Sequence, residues 1–405
     1  MGHGHSHSHR AGAHDDGVEI APAPRTILLS VLAAALAVTV VGLVMLWPDG
    51  DKIDDLQGSV SFAGEGVTFP QATVDEVAPA CKSLTEPPEG CGTMTVTVAD
   101  GVDKGEQTEV QVPPQVTNVG LATGDRVELI RTPTTDDQPA AFSYFNIVRG
   151  QSLWILVGLF ALVVVAVARL RGLMALVGLA FAAVVVSLFV VPSLLTGESP
   201  VPVAVVGAVA IMYVVLFTTH GFSIRTSAAL AGTLGGIAVT AALGAWAVGA
   251  THLTGITDEA GGVLTAYAGD LDFQSLLVAA VVIAGLGVLN DVTITQASAV
   301  WELRGAAPEL TRLQLFGSAM RIGRDHVAST IYTIVFAYVG TALLLLLVVS
   351  LYDRPLVDLA GTEEIATEIV RSLTSSIGLV LAMPLTTVIA AMTVPGPTPR
   401  AHTAG

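Results

Sequence analysis

The sequence predicts an α-helical polytopic membrane bundle of about eight transmembrane helices, with a small all-β, OB-like extracytoplasmic domain between the first and second spans. Three observations predict it. The 405 residues are 52% apolar and only 13% charged, against about 45–50% and about 25% in an average soluble domain. The apolar residues gather into runs of about 20, the length that crosses roughly 30 Å of hydrocarbon at about 1.5 Å per residue. One stretch of about a hundred residues instead shows short alternating β-branched segments between Gly, Pro and Asp turns. Such a composition excludes a disordered chain and a disulfide-rich miniprotein. With a net charge of −16 and Lys at only 3 of 18 basic positions, no basic face exists to neutralise phosphates, which excludes nucleic acid as a partner.

Residues 1–25 form a flexible cytoplasmic tail carrying His3, His5, His7, His9 and His14, followed by Asp15 and Asp16. Neutral imidazoles on a mobile chain chelate divalent transition metals such as Zn, Ni, Co or Cu. Alternate residues on an unfolded chain impose no geometry, so an idle tail explains the composition equally. No other cofactor is expected. Residues 26–47 make the first span. A signal-peptide core normally runs about 7–15 residues to a small-residue cleavage site; this one is longer and leaves through Leu46, Trp47, Pro48 and Asp49, so it reads as a retained signal anchor.

Residues 48–150 make the extracytoplasmic β domain, with strand-like stretches at Gly58–Phe62, Val67–Val77, Thr93–Val98, Gln107–Val112, Arg126–Arg131 and Phe142–Val148. It holds 17 acids against 6 bases, a surface that attracts cations or basic partners. The only cysteines, Cys81 and Cys91, bracket a short loop containing Pro87 and Pro88. Two thiols alone do not complete a tetrahedral metal site, so a disulfide staple is expected in an oxidising exterior.

Residues 151–393 make a seven-helix membrane domain. With the anchor, the spans lie near Thr26–Trp47, Ser152–Ala168, Leu173–Leu195, Val201–Thr219, Ala228–Ala250, Ser275–Val292, Val327–Leu351 and Leu373–Thr393. An even number returns both termini to one side. Placing them in the cytoplasm collects Arg25, Arg169, Arg171, Arg225, Arg304, Arg312, Arg321, Arg324 and Arg400 inside. The outer connections then hold mostly acids, among them Glu198, Glu363, Glu364 and Glu368, with Arg354 and Arg371 as exceptions. Residues 394–405 are a flexible C-terminal tail.

Within the sixth span, spacings of four, three and four residues bring Asp291, Thr295, Ser298 and Glu302 onto one helical stripe, flanked by Asn290, Thr293 and Gln296. A carboxylate heading a stripe of hydroxyls and amides suits a polar path for an ion or proton. The plainer alternative is that the span ends here among headgroups, with Trp301 an interfacial anchor. His220, Arg225, Arg321, Arg324 and Asp325 lie on the same inner side as potential partners; Arg321 or Arg324 would pair with Asp291. Alternatively these arginines only set topology and Asp325 caps a helix. From Pro308 to Ile322 the apolar residues fit an amphipathic helix on the inner leaflet. Gly232 and Gly236 form a small-xxx-small step for close helix approach, and Pro192 and Pro384 punctuate or kink their spans.

No phosphate-binding Gly-Lys-Ser/Thr loop, His-Glu-x-x-His pair or Gly-x-Ser-x-Gly elbow occurs, so the chain is not expected to be an enzyme. The Asn290–Ser298 segment, the Thr219-His220-Gly221 turn and Arg321–Thr330 together resemble the YibE/F-like family of bacterial multi-pass membrane proteins, over about Gly150 to Thr393. That family commonly has an acid or Met where Asn290 stands and often Asn at Tyr332, so no shared role carries over to either. The resemblance implies a cytoplasmic-membrane permease architecture without a settled substrate. Two functions follow as expectations. One is a permease of ions or small solutes, with any energising partner on a separate chain. The other is a non-transporting assembly or sensor protein whose β domain binds an envelope protein.

Overall fold

The structure is a computed structural model that describes residues 22–59, 64, 66–81, 91–133, 140–256, 261–262, 264–265, 271–351 and 355–398. His3, His5, His7, His9 and His14, residues 60–62 of the first strand-like stretch, and Arg354 and Arg400 lie outside them. Two compact units are present, one from residues up to Asp55 together with those from Leu170 onward, the other from Leu56 to Arg169.

In the second unit, five antiparallel strands, β1 (Gln71–Val77), β2 (Thr93–Val98), β3 (Gln107–Gln111), β4 (Arg126–Thr132) and β5 (Ala141–Ile147), lie in the order β3-β2-β1-β4-β5. The sheet curls until β3 and β5 come within 8 Å, giving a half-barrel. Alternation buries one face: Ala72, Val74, Met94, Val96, Val98, Val110, Val127 and Leu129 form its core. Four of the five strands begin and end within a residue of the stretches that the alternation predicts; β1 starts later, with Thr68 bridging to Arg131. Gly58 and Ser59 instead finish a helix, α2 (Gly50–Ser59), because three acids and a lysine in that segment leave no apolar alternation to pair with a sheet. Cys81 and Cys91 are joined by a disulfide, with Cα atoms 5.0 Å apart. Gly92 follows with φ of +66°, and a Cβ there would stand 3.0 Å from Cys81 Sγ, so the staple needs glycine beside it. Arg131 pairs with Asp103, whose carboxylate raises the guanidinium's pKa.

Among the described residues, six helices are long and apolar enough to cross a membrane, or seven if one bent pair is a single span. They differ from the eight predicted spans in two places. The second and third predicted spans belong to one stretch, Gly150–Leu195, consisting of α4 (Gly150–Val185), a π-helical turn at Val186–Val190 and α5 (Val191–Leu195). Its backbone breaks at Arg169, with φ 53° and ψ −132°. The seventh predicted span is bent by 63° between α9 (Arg312–Thr341) and α10 (Leu343–Ser350), where Ala342 leaves helical geometry.

The first unit is centred on α7 (Ile224–Thr251), α8 (Phe273–Ala306) and α12 (Glu363–Thr393), flanked by α1 (Pro22–Met45), α6 (Pro200–His220) and α9; α3 (Pro114–Thr117) and α11 (Leu356–Ala360) are single short turns. Local chemistry sets the helix starts. Ser223 and Asp272 accept from the backbone N–H of Thr226 and Ser275, and Thr311 with Gln314 forms a reciprocal capping box. The segment expected on the inner leaflet is the first half of α9, with Leu315, Ala319, Gly323 and Val327 at four-residue steps buried in the bundle. The last helix starts ten residues before the predicted span, at Glu363, since two acids in its first turn favour the positive end of the helix dipole. Glu363 Oε1 accepts from Thr254 N, Thr254 Oγ1 and Gly255 N at 2.6, 3.0 and 3.1 Å, fastening α12 to the end of α7.

Candidate functional site

A cavity of about 750 Å³ opens between α8, α9, α10 and α12. Small or apolar side chains, among them Ala280, Ala284, Val288 and Ile334, make most of its wall. Small residues leave the space; α9 contributes the hydroxyls of Thr333, Tyr338 and Thr341, and all the charged groups come from one face of α12. Glu364, Glu368, Arg371 and Ser375 follow at steps of four, three and four and all line the cavity. Arg371 Nη1 donates to Glu368 Oε1 at 2.8 Å. The other half of each group is uncommitted: Glu368 Oε2, Arg371 Nε and Ser375 Oγ are buried without a hydrogen-bond partner. Two carboxylates face one guanidinium, so the pocket carries a net formal charge of −1 if all ionise. A buried acceptor, donor and hydroxyl of this kind in the wall of an open cavity suit a small cation or zwitterion that brings its own polar groups.

The stripe expected around Asp291 divides. Thr293 and Gln296 are buried, Asn290 and Ser298 partly so, and Asp291, Thr295 and Glu302 are exposed. Thr293 Oγ1 meets Thr233 Oγ1 of α7 at 2.7 Å, and Gln296 Nε2 donates to Ala319 O of α9 at 3.0 Å. Those two are structural ties between helices. Asp291 Oδ2 lies 3.5 Å from His326 Nε2, too far for a normal hydrogen bond. Arg321 donates to Ser318 instead of Asp291, and Arg324 and Asp325 point to the surface. The two arginine pairings expected for Asp291 are therefore replaced by His326, which shares the inner turns of α9 with them. His220 ends α6 and Arg225 opens α7; neither joins the described ion pairs.

Between the cavity and the Thr293 cluster stands Leu289, 1% exposed. Gly285, Leu289 and Thr293 share one face of α8 at four-residue steps, and Leu289 fills the space beside Gly236, whose Cβ would lie 2.7 Å from Leu289 Cδ2. The helix contacts around it are close: a Cβ on Gly232 would come 1.9 Å from Thr386 Oγ1, and one on Gly378 would come 2.0 Å from Thr240 Oγ1. The small-xxx-small step thus brings α7 against α12, as its spacing predicts. An apolar plug separates two polar regions within one tightly packed core.

Sequence reasoning missed the α12 face because the apolar window begins at Leu373 and leaves the charged turn outside it. Two signals were present: the four-three-four spacing of Glu364, Glu368, Arg371 and Ser375, and Arg371 standing as a basic exception among outer acids.

A family model described as YibE/F-like protein matches residues 156–396. The chain belongs to the YibE/F-like family. The match takes in every residue of the cavity, of the Leu289 plug and of the Thr293 cluster, and begins after the sheet, so the family supplies the helical architecture and leaves the half-barrel aside. No curated protein and no solved structure compared with the chain matches it. Among the described residues, no three His, Cys, Asp or Glu side chains come together as a metal-binding group.

Proposed function

We propose that this multi-pass membrane protein is a permease for small cations or zwitterions in the bacterial cytoplasmic membrane, and that the α12-faced cavity is its solute site. The observation that carries the reading is the set of unpartnered groups, Glu368 Oε2, Arg371 Nε and Ser375 Oγ, buried along one helix face in the wall of a mostly apolar cavity. Leu289 is the barrier between that cavity and the opposite polar cluster, and transport needs it to move.

An eight-span topology with both termini inside goes with this reading. The 46 residues of Gly150–Leu195 would extend about 69 Å, more than twice the hydrocarbon thickness of roughly 30 Å. The Arg169 break divides them into two arms of adequate length. Counting the bent α9–α10 pair as one span then gives an even total. The half-barrel would lie outside, and its five strands with β3 approaching β5 support an OB-like reading.

Full-length protein reconstituted in liposomes tests the assignment with a panel of alkali cations, protons and amino-acid-like zwitterions. Flux that disappears in Glu368→Gln and persists in Glu198→Gln and Asp291→Asn supports the cavity. Equal flux in wild type and Glu368→Gln overturns it. Absence of flux across the panel, with a partner recovered by crosslinking to the half-barrel, points to an assembly or sensor role instead.

A further inference from the structure

The far end of α8 holds a second group of unsatisfied side chains, unrelated to the cavity. Arg304 is only 5% exposed and lies about 24 Å along the helix axis from Val288, the last cavity residue of α8. Its Nη1 donates to the carbonyls of Pro308 and Leu310 at 3.0 and 2.8 Å, holding the α8–α9 connection against the helix end. The opposite edge of the guanidinium, Nε with Nη2, has no partner. Arg312, the first residue of α9, is near enough for its charge to act on Arg304, and its Nε is unpartnered as well. Trp301 precedes Arg304 by three residues, which puts both on one helix face, and its indole N–H is also buried without an acceptor. None of the described ion pairs includes Arg304 or Arg312.

The group therefore has four unused donors and two like charges, and needs an anion with several oxygens. A guanidinium's free side edge matches two oxygens of one anion, and two further donors beside it fit a tetrahedral group better than a planar carboxylate. We propose that Trp301, Arg304 and Arg312 bind the phosphate of an anionic phospholipid. The surroundings select a lipid over a soluble phosphate. The donors stand at the end of a long apolar helix, where headgroups lie, and Leu313, next to Arg312, is 80% exposed, offering apolar surface to acyl chains.

The test uses full-length protein in neutral detergent, titrated with phosphatidylglycerol, phosphatidylcholine or inorganic phosphate and read by native mass spectrometry and by thermal unfolding. Phosphatidylglycerol should bind at least about ten-fold more tightly than phosphatidylcholine and raise the unfolding midpoint. Arg312→Gln should weaken phosphatidylglycerol binding about ten-fold, a step of roughly 1.4 kcal/mol. Trp301→Phe, which keeps the ring and removes the donor, should weaken it by a few-fold, and both variants avoid the backbone clamp that Arg304 provides. Equal binding of the two lipids, or wild-type affinity in Arg312→Gln, overturns the site. Stabilisation by millimolar inorganic phosphate equal to that by phosphatidylglycerol overturns the lipid as its occupant.

Discussion

Replacing Gly232 with alanine asks whether α7 and α12 meet as closely as the backbone places them. The new methyl would lie 1.9 Å from Thr386 Oγ1, 2.8 Å from Thr386 Cβ and 3.1 Å from Thr386 Cα. Rotating the hydroxyl away relieves the first clash and breaks its 2.7 Å bond to Ala382 O; the Cβ and Cα are fixed by the backbone, so the helices must separate. Overpacking of this kind costs about 1–3 kcal/mol, while alanine in a helix returns up to about 1 kcal/mol relative to glycine. Gly287→Ala on α8 is the matched control, since a Cβ there has nothing within 4 Å. The propensity gain is common to both, so the stability gap between the two variants should be about 1–3 kcal/mol, the overpacking cost alone. Purified full-length protein unfolded by heat or by SDS measures it. The double variant Gly232→Ala with Thr386→Gly moves the gap to the other helix and should be less destabilised than the sum of its parts. Equal stability of the two alanine variants would refute the close packing.

Leu289→Ala removes a side chain that is 1% exposed, and should cost about 2–5 kcal/mol while raising solute leak through reconstituted protein; an unchanged unfolding midpoint would contradict the plug. Asp272 heads α8, and its carboxyl is held below the usual carboxylate range first by the Ser275 hydroxyl and then by the Ser275 N–H. A depressed pKa means that this support is complete at neutral pH and lost as the pH falls through the native value. Asp272→Ala should thus cost about 1 kcal/mol at pH 7, with the deficit closing below about pH 3.9; hydrogen exchange in the first turn of α8 reads it, and a deficit independent of pH speaks against the cap. Removing the Cys81–Cys91 bridge as Cys81→Ser with Cys91→Ser releases a loop of ten positions and should weaken the sheet by on the order of 3 kcal/mol. Tryptic cleavage at Arg126 and Arg131 should then accelerate in the full chain, and unchanged cleavage would assign the bridge no stabilising role.

Strands and helix interiors were legible because each rests on a period. Val96 and Val98, or Leu315 and Ala319, declare a buried face through two- or four-residue steps, and tertiary packing kept those faces buried. Breaks were less legible. The break at Arg169 is the exception, since a charged residue divides two apolar runs there and its non-helical φ and ψ separate two helices. Ala342 is a good helix former, and only Gly340 and Thr341 just before it interrupt the apolar run where the helix bends. The site shows the same division. A four-three-four spacing was the right signature for a polar helix face, but the sequence contains it twice, at Asp291 and at Glu364. Only the packing of α8, α9 and α12 tells which copy lines a cavity, because a helix's period states which residues share a face and not what that face meets.

One oxygen of Glu363 receives donors from residues 108 and 109 positions away. The amides of Thr254 and Gly255 consequently cannot exchange with solvent unless the carboxylate lets go, so fraying at the end of α7 and at the beginning of α12 is a single concerted event. Glutamine would preserve the latch by offering a carbonyl oxygen of the same reach, whereas aspartate, one methylene shorter, would set both ends loose together.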